Sequence, residues 1–192
     1  SGKLLKVVNI LSDDTASDAN EASIGGNIFA TTINATATVT SSDTVEFAGT
    51  VNGTTVNLLG AGATSFLGDV TSNVVFGAGA STTGTATVAA NKKIVGAVTT
   101  TDTGEGTLTF AVATSDTTLA SSTIGATDAV LKAVNIVVTD ADTTDSIGVA
   151  ATMAGNIFAT GVNATATLAT DAEGDGDTVA FSGTVDATTL TL

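Results

Sequence analysis

Asp43–Leu58, DTVEFAGTVNGTTVNL, returns at the other end of the chain as Asp177–Leu192, DTVAFSGTVDATTLTL, with ten of 16 positions identical. The blocks ahead of them match as well: Gly26–Val39 (GNIFATTINATATV) and Gly155–Leu168 (GNIFATGVNATATL) share 11 of 14 residues. Repetition of this kind marks a stacked or arrayed architecture. Within the stretch, Val45, Phe47, Gly49 and Val51 alternate with Glu46, Ala48, Thr50 and Asn52. The first set is unchanged in the second copy as Val179, Phe181, Gly183 and Val185, whereas Ala180, Ser182 and Asp186 replace three of the other four. A period of two with one unchanging side belongs to a strand that packs one face against a core. Asn52-Gly53 reads as a turn, after which Val56 and Leu58 resume the inward face.

A shorter echo decides between architectures. Phe47-x-Gly49-x-Val51 recurs 19 residues later as Phe66-x-Gly68-x-Val70, and Val56 and Leu58 recur 18 residues on as Val74 and Phe76. Ile94-x-Gly96-x-Val98, followed by Leu108 and Phe110 beyond the loop Thr99–Gly106, reads as a third round. Paired short strands at this spacing, with Gly-rich corners, predict an all-β fold: a right-handed parallel β-solenoid. Each coil then adds one strand spacing of ~4.8 Å, and like residues stack above like. Buried Val, Ile and Phe would form ladders, and the Gly of F-x-G-x-V would make room for a neighbouring Phe ring. The alternative is two β-sandwich repeats, one per long copy. It gives no reason for the 19-residue echo, and the chain lacks the core Trp or Tyr and the border Pro such repeats carry.

The long repeat begins at or near the first residue. Leu5, Lys6, Val8, Asn9 and Ile10 reappear as Leu131, Lys132, Val134, Asn135 and Ile136. Residues 1–129 are therefore a first unit of one continuous solenoid, and 130–192 a partial second copy. The offset grows from 126 to 134 along the copy, so insertions fall at loops. Residues 1–11 and Asn27–Val39 read as strands, and the acidic segments Ser12–Ser23 and Thr139–Ser146 as loops. The second copy stops at Leu192, the equivalent of Leu58, in mid-unit, so either a longer chain or another subunit is expected to cover it. The opening Ser-Gly-Lys, without Met, reads as a processed product or an excerpt.

Composition narrows the chemistry. Of 192 residues, 43% are hydrophobic, built from Ala, Val, Ile, Leu and seven Phe, which argues against disorder. Thr, Ala, Gly and Val favour pleated backbone over helix. Cys, His, Pro, Trp, Tyr and Arg are absent. Without His or Cys the usual nucleophile–base pairs and zinc sites cannot be assembled. The net charge of −14, with Lys as the only cation, is wrong for nucleic-acid backbone or anionic headgroups. No apolar run reaches membrane-span length, so no membrane insertion is expected. Polysaccharide-cleaving solenoids line their grooves with Arg, Lys and aromatic residues, and this chain has no Arg, Trp or Tyr, so no enzyme is expected.

Thr-Val-x-Phe-x-Gly-Thr-Val followed by Thr-Thr-Val-Asn-Leu resembles the degenerate coils in passengers of large autotransporter surface antigens, including the rickettsial outer-membrane type. It is similar as well to S-layer-like cell-surface repeat proteins. The resemblance covers Gly26–Phe110 and Gly155–Leu192. It implies an extracellular, cell-surface β-solenoid serving adhesion, coat formation or protection, and no motif of the membrane-inserted barrel of those families is present. The expected role is a structural module of a surface fibre, S-layer or adhesin stalk that self-associates into a fibre or layer. The second expectation is an adhesive fibre, bacterial or phage, that recognises a glycan or receptor; a cell-envelope glycan is the partner it would take.

Asp171-Ala-Glu173-Gly-Asp175-Gly176-Asp177 is the sharpest local motif. Asp171, Glu173, Asp175 and Asp177 place oxygens at alternate positions with Gly at the sixth, as in the first half of a calcium loop. Ser182 stands where the closing bidentate Glu would be, so a solvated acidic loop is the competing reading. Asp140-x-Asp142-x-x-Asp145, and Asp13-Asp14 with Asp18 and Glu21, read as solvated loops or as cation sites between coils. Gly104-Glu105-Gly106 is similar to the Gly-rich calcium repeats of toxin-like solenoids, without their tandem array. Asn34-Ala-Thr36, Asn52-Gly-Thr54 and Asn163-Ala-Thr165 are glycan acceptor sequons or chance strings in a Thr-rich chain. Lys92-Lys93 reads as a solvated corner.

Overall fold

The alternation from Val45 to Val51 holds in three dimensions: Val45, Phe47 and Val51 are buried while Glu46, Ala48 and Thr50 lie outside. The structure, a computed structural model, describes residues 4–13, 21–38, 43–77, 84–113, 117–120, 122–139, 148–167 and 176–192. Among these there is no helix. The strands are β1 Leu5–Ser12, β2 Glu21–Ile24, β3 Ile28–Ala37, β4 Thr44–Phe47, β5 Val51–Leu59, β6 Ala63–Phe66, β7 Asn73–Phe76 and β8 Thr85–Val88. The second half adds β9 Val98–Thr100, β10 Glu105–Val112, β11 Thr117–Ala120, β12 Leu131–Thr139, β13 Ala150–Met153, β14 Ile157–Thr167, β15 Thr178–Phe181 and β16 Val185–Thr191.

Every strand pair is parallel, and the chain winds as a right-handed β-solenoid with three walls. An eight-stranded wall stacks β2, β4, β6, β8, β10, β12, β14 and β16; a five-stranded wall stacks β1, β3, β5, β7 and β9; a three-stranded wall stacks β11, β13 and β15. Single-residue bridges carry the two shorter walls through the layers that lack a full strand, as in Val51–Val70–Ile94–Ala120 and Val98–Ile124–Ile157. The pairing of β10 with β12 runs straight across the junction of the two long units.

Inside, like stacks on like. One column runs Val8, Ile33, Val56, Val74, Val98, Ile124, Ile157 and Val185. Another runs Ile24, Phe47, Phe66, Val88, Phe110 and Ile136. Burial of each such side chain contributes about 1.5–3 kcal/mol. Phe47 and Phe66 stack with ring centroids 5.3 Å apart and planes 11° off parallel, a geometry that adds about 0.5–1.5 kcal/mol beyond burial.

Four expectations need correction. Asn52-Gly53 is not a turn: both residues lie inside β5, where the strand bends from one wall to the next. Residues 21–23, expected in a loop, belong to β2, which pairs with β4, and Ser12 and Thr139, expected to open loops, instead end β1 and β12. The Gly of F-x-G-x-V does not make room for a Phe ring. A Cβ on Gly49 would stand 2.5 Å from the Gly26 carbonyl carbon, and one on Gly68 2.5 Å from the Gly49 oxygen. These glycines let successive corner backbones approach, and the Phe ring is admitted instead at Gly106, against Phe76.

The fourth correction concerns the third round of the echo. Phe47 to Val51 and Phe66 to Val70 turn the corner from the eight-stranded to the three-stranded wall. Ile94 stacks on Val70 rather than on Phe66, and Val98 on Val74. Its corner is thus the next one round, and Leu108 and Phe110 stack on Ala86 and Val88. The wider corner at 89–93 makes this shift, with Asn91 in the left-handed region at φ 59°. From there on, the long strands stand on the eight-stranded wall instead of the five-stranded one.

Candidate functional site

Polar side chains facing outward on the walls are organised by the same stacking. Asn34 donates from Nδ2 to Asn9 Oδ1 at 2.7 Å, and Asn57 donates to Asn34 Oδ1 at 2.8 Å. On the eight-stranded wall Asn163 donates to Asn135 Oδ1 at 2.9 Å, and Asn135 to the Thr109 hydroxyl at 3.3 Å. Asn34 and Asn135 each donate to the layer before and accept from the layer after, because parallel in-register strands put like side chains one strand spacing apart. Two of the three sequons fall in these ladders. A glycan on Asn34 or Asn163 would occupy the nitrogen that makes the bond, whereas Asn52 is exposed on β5.

Corners are held by a second set. Asn27 Oδ1 accepts from the Thr50 amide at 2.8 Å and Asn156 Oδ1 from the Thr184 amide at 3.0 Å. Asp69 accepts from the Lys93 amide, Asn73 from the Ala97 amide and Asn91 from the Ala113 amide, at 3.0–3.2 Å. These amides sit where the chain leaves one wall and has no strand partner, so the side chain satisfies a donor the corner would otherwise strand. The Asn of both Gly-Asn-Ile-Phe blocks has this task. The repeat made those residues visible in the sequence; nothing there said which backbone group they meet.

The acidic candidates divide. Asp171, Glu173 and Asp175 lie outside the described residues, as do Asp14, Asp18, Asp140, Asp142 and Asp145. Asp177 Oδ1 accepts from the Val149 amide at 2.9 Å, a corner bond from one layer to its neighbour. Its repeat equivalent Asp43 is buried and accepts from the Thr38 hydroxyl at 2.8 Å, which also lies 3.0 Å from Asp13 Oδ1. Glu21 stands on the outer face of β2. Gly104 and Gly106 both have positive φ and shape the reversal into β10, around a half-buried Glu105. Among the described residues no group of three or more Asp or Glu is placed to hold a metal ion, and no helix is long and apolar enough to cross a membrane.

The walls and ladders define a parallel β-solenoid whose polar side chains bind coil to coil. Comparison with known proteins finds no family model, curated protein or solved structure that matches the chain.

Proposed function

We propose that the chain is a structural module of an extracellular surface fibre, S-layer or adhesin stalk, self-associating and stiffened by calcium in its acidic loops. One observation carries this reading: the ordered polar groups hold one coil to the next. The Asn ladders, the Asn and Asp corner bonds and the closed aliphatic columns all resist bending or fraying of a rod. Catalysis or ligand capture would instead leave some of those groups converging on a cleft. The net charge of −14 keeps such a rod soluble and gives its loops an affinity for cations.

A glycan- or receptor-binding fibre would need a stacking platform. Among the described residues Phe29 is the one strongly exposed ring, and a single ring gives no platform, so the structural reading leads. Electron microscopy of the chain with calcium and with a chelator tests it. Elongated particles that lengthen or bundle with concentration, and loosen on chelation, are expected. Compact single particles indifferent to concentration and chelator would overturn the proposal.

A further inference from the structure

Nine of the ten described asparagines tie one coil to the next through their side chains, in the ladders or at the corners. Asn52 is the tenth, and among the described residues its side chain has no hydrogen-bond partner. It is also the one asparagine of the chain that is followed by glycine. Asn52 lies exposed on β5, aligned with Phe29 in the layer before. Toward the layer after, the pairing is interrupted at this point: Val51 bridges Val70, and the ladder to β7 resumes only where Thr55 meets Asn73. Residues 52–54 are therefore held from one side.

We propose that Asn52 is a site of self-modification, at which the chain deamidates through a cyclic imide formed with Gly53. The chemistry needs a side-chain amide that is not otherwise engaged, and a following residue whose nitrogen can swing onto it. Glycine supplies the second, because without a Cβ it allows backbone rotations that other residues resist. The Gly53 nitrogen gives up its proton and attacks Asn52 Cγ; the Cγ–Nδ2 bond breaks, and the nitrogen leaves as ammonia. Water then opens the imide. Cleavage of the new Cγ–N bond leaves aspartate, whereas cleavage of the original peptide C–N bond leaves isoaspartate, with the main chain rerouted through Cβ and Cγ. At the other described asparagines both requirements fail, since the amide is committed to a neighbouring coil and the next residue carries a Cβ.

The fold treats the two products differently. Asp186 holds the same place in the second long copy, where it aligns with Phe158 as Asn52 aligns with Phe29. A carboxylate at this position already belongs to the solenoid. Isoaspartate does not fit, because its extra main-chain atom would push Gly53 and the residues after it out of register with β3. There is no slack to absorb the push: a Cβ on Gly53 would stand 2.3 Å from the Ala30 oxygen. The folded coil therefore steers the imide toward aspartate, and an isoaspartate that does form loosens β5 from β3.

Incubation of the folded chain at mildly alkaline pH in heavy-oxygen water, followed by peptide mapping, tests this. Labelled aspartate at position 52, with the other described asparagines unchanged, is the expected result. Asn52→Gln should abolish the acidic charge variant that accumulates in the parent chain. The chain unfolded in guanidinium chloride should give a larger proportion of isoaspartate at the same position. If Asn52 stays intact in the folded chain while the unfolded chain converts, β5 holds the site shut and the proposal fails. It fails too if another described asparagine converts first, if neither form of the chain converts, or if the acidic variant persists in Asn52→Gln. Equal proportions of isoaspartate in the folded and unfolded chains would overturn the steering by β3.

Discussion

Phe47 and Phe181 are the same residue of the long repeat, yet they line different walls of the solenoid. Phe47 stacks between Ile24 and Phe66 on the eight-stranded wall. Phe181 stacks on Met153 in the three-stranded wall. Identical strings thus occupy positions one wall apart, because the stretch between the two copies does not close a whole number of three-walled coils.

Unequal cost follows from that difference in surroundings. Phe47 is 1% exposed and sandwiched between layers, whereas Phe181 is only half-buried. Phe47→Ala should lower stability by about 3–5 kcal/mol, the usual range for a fully packed ring, and Phe181→Ala by clearly less. Urea unfolding of the two variants measures both. Equal losses would contradict the layer assignment.

The corner glycines divide in the same way. A Cβ at Gly49 would press on the Gly26 carbonyl, and that backbone is fixed by the stack, while a Cβ at Gly26 would meet nothing within 4 Å. Gly49→Ala should cost about 1–3 kcal/mol, as overpacking does. Gly26→Ala should be close to neutral. Thermal denaturation of the pair gives the comparison, and a neutral Gly49→Ala would mean the corners are looser than described.

Asn91 joins two requirements in one side chain: a left-handed backbone, and Oδ1 accepting from the Ala113 amide at 3.2 Å. Asn91→Gly keeps the first and loses the second; Asn91→Ala loses both. Left-handed backbone costs a residue with a Cβ about 1–2 kcal/mol, so Ala should be the less stable variant by about that amount. If Gly is the worse of the two in chemical denaturation, the left-handed backbone at position 91 does not carry the cost assigned to it.

Calcium binding at the acidic loops should raise the melting temperature. At a hundredfold excess over the dissociation constant, one site stabilises by about 2.7 kcal/mol. The triple change Asp171→Asn, Glu173→Gln, Asp175→Asn should abolish the shift. Asp177 is left intact there, because its carboxylate holds the Val149 amide and its loss would destabilise the corner whether or not calcium binds. A calcium-induced shift of unchanged size in the triple variant would move the site elsewhere.

Much of the fold was legible in Asp43–Leu58 and its echoes. A period of two with an unchanging apolar side fixes which residues face inward, and an echo at 18–19 residues leaves room for little but a solenoid coil. Val56 and Leu58 above Val74 and Phe76, and Phe47 above Phe66, were readable from spacing alone. Wall identity was not. Val70 to Ile94 and Phe66 to Val88 are both one coil apart, and only the conformation at 89–93 decides which residue of the third round stacks on which. The task of the repeated Asn residues was hidden for a related reason. Asn9, Asn34 and Asn57 are 23–25 residues apart in sequence and become neighbours only when strands stack in register. Local periodicity determines inside and outside, because that is a property of one strand; partnership between coils belongs to the winding as a whole, and only the tertiary structure decides it.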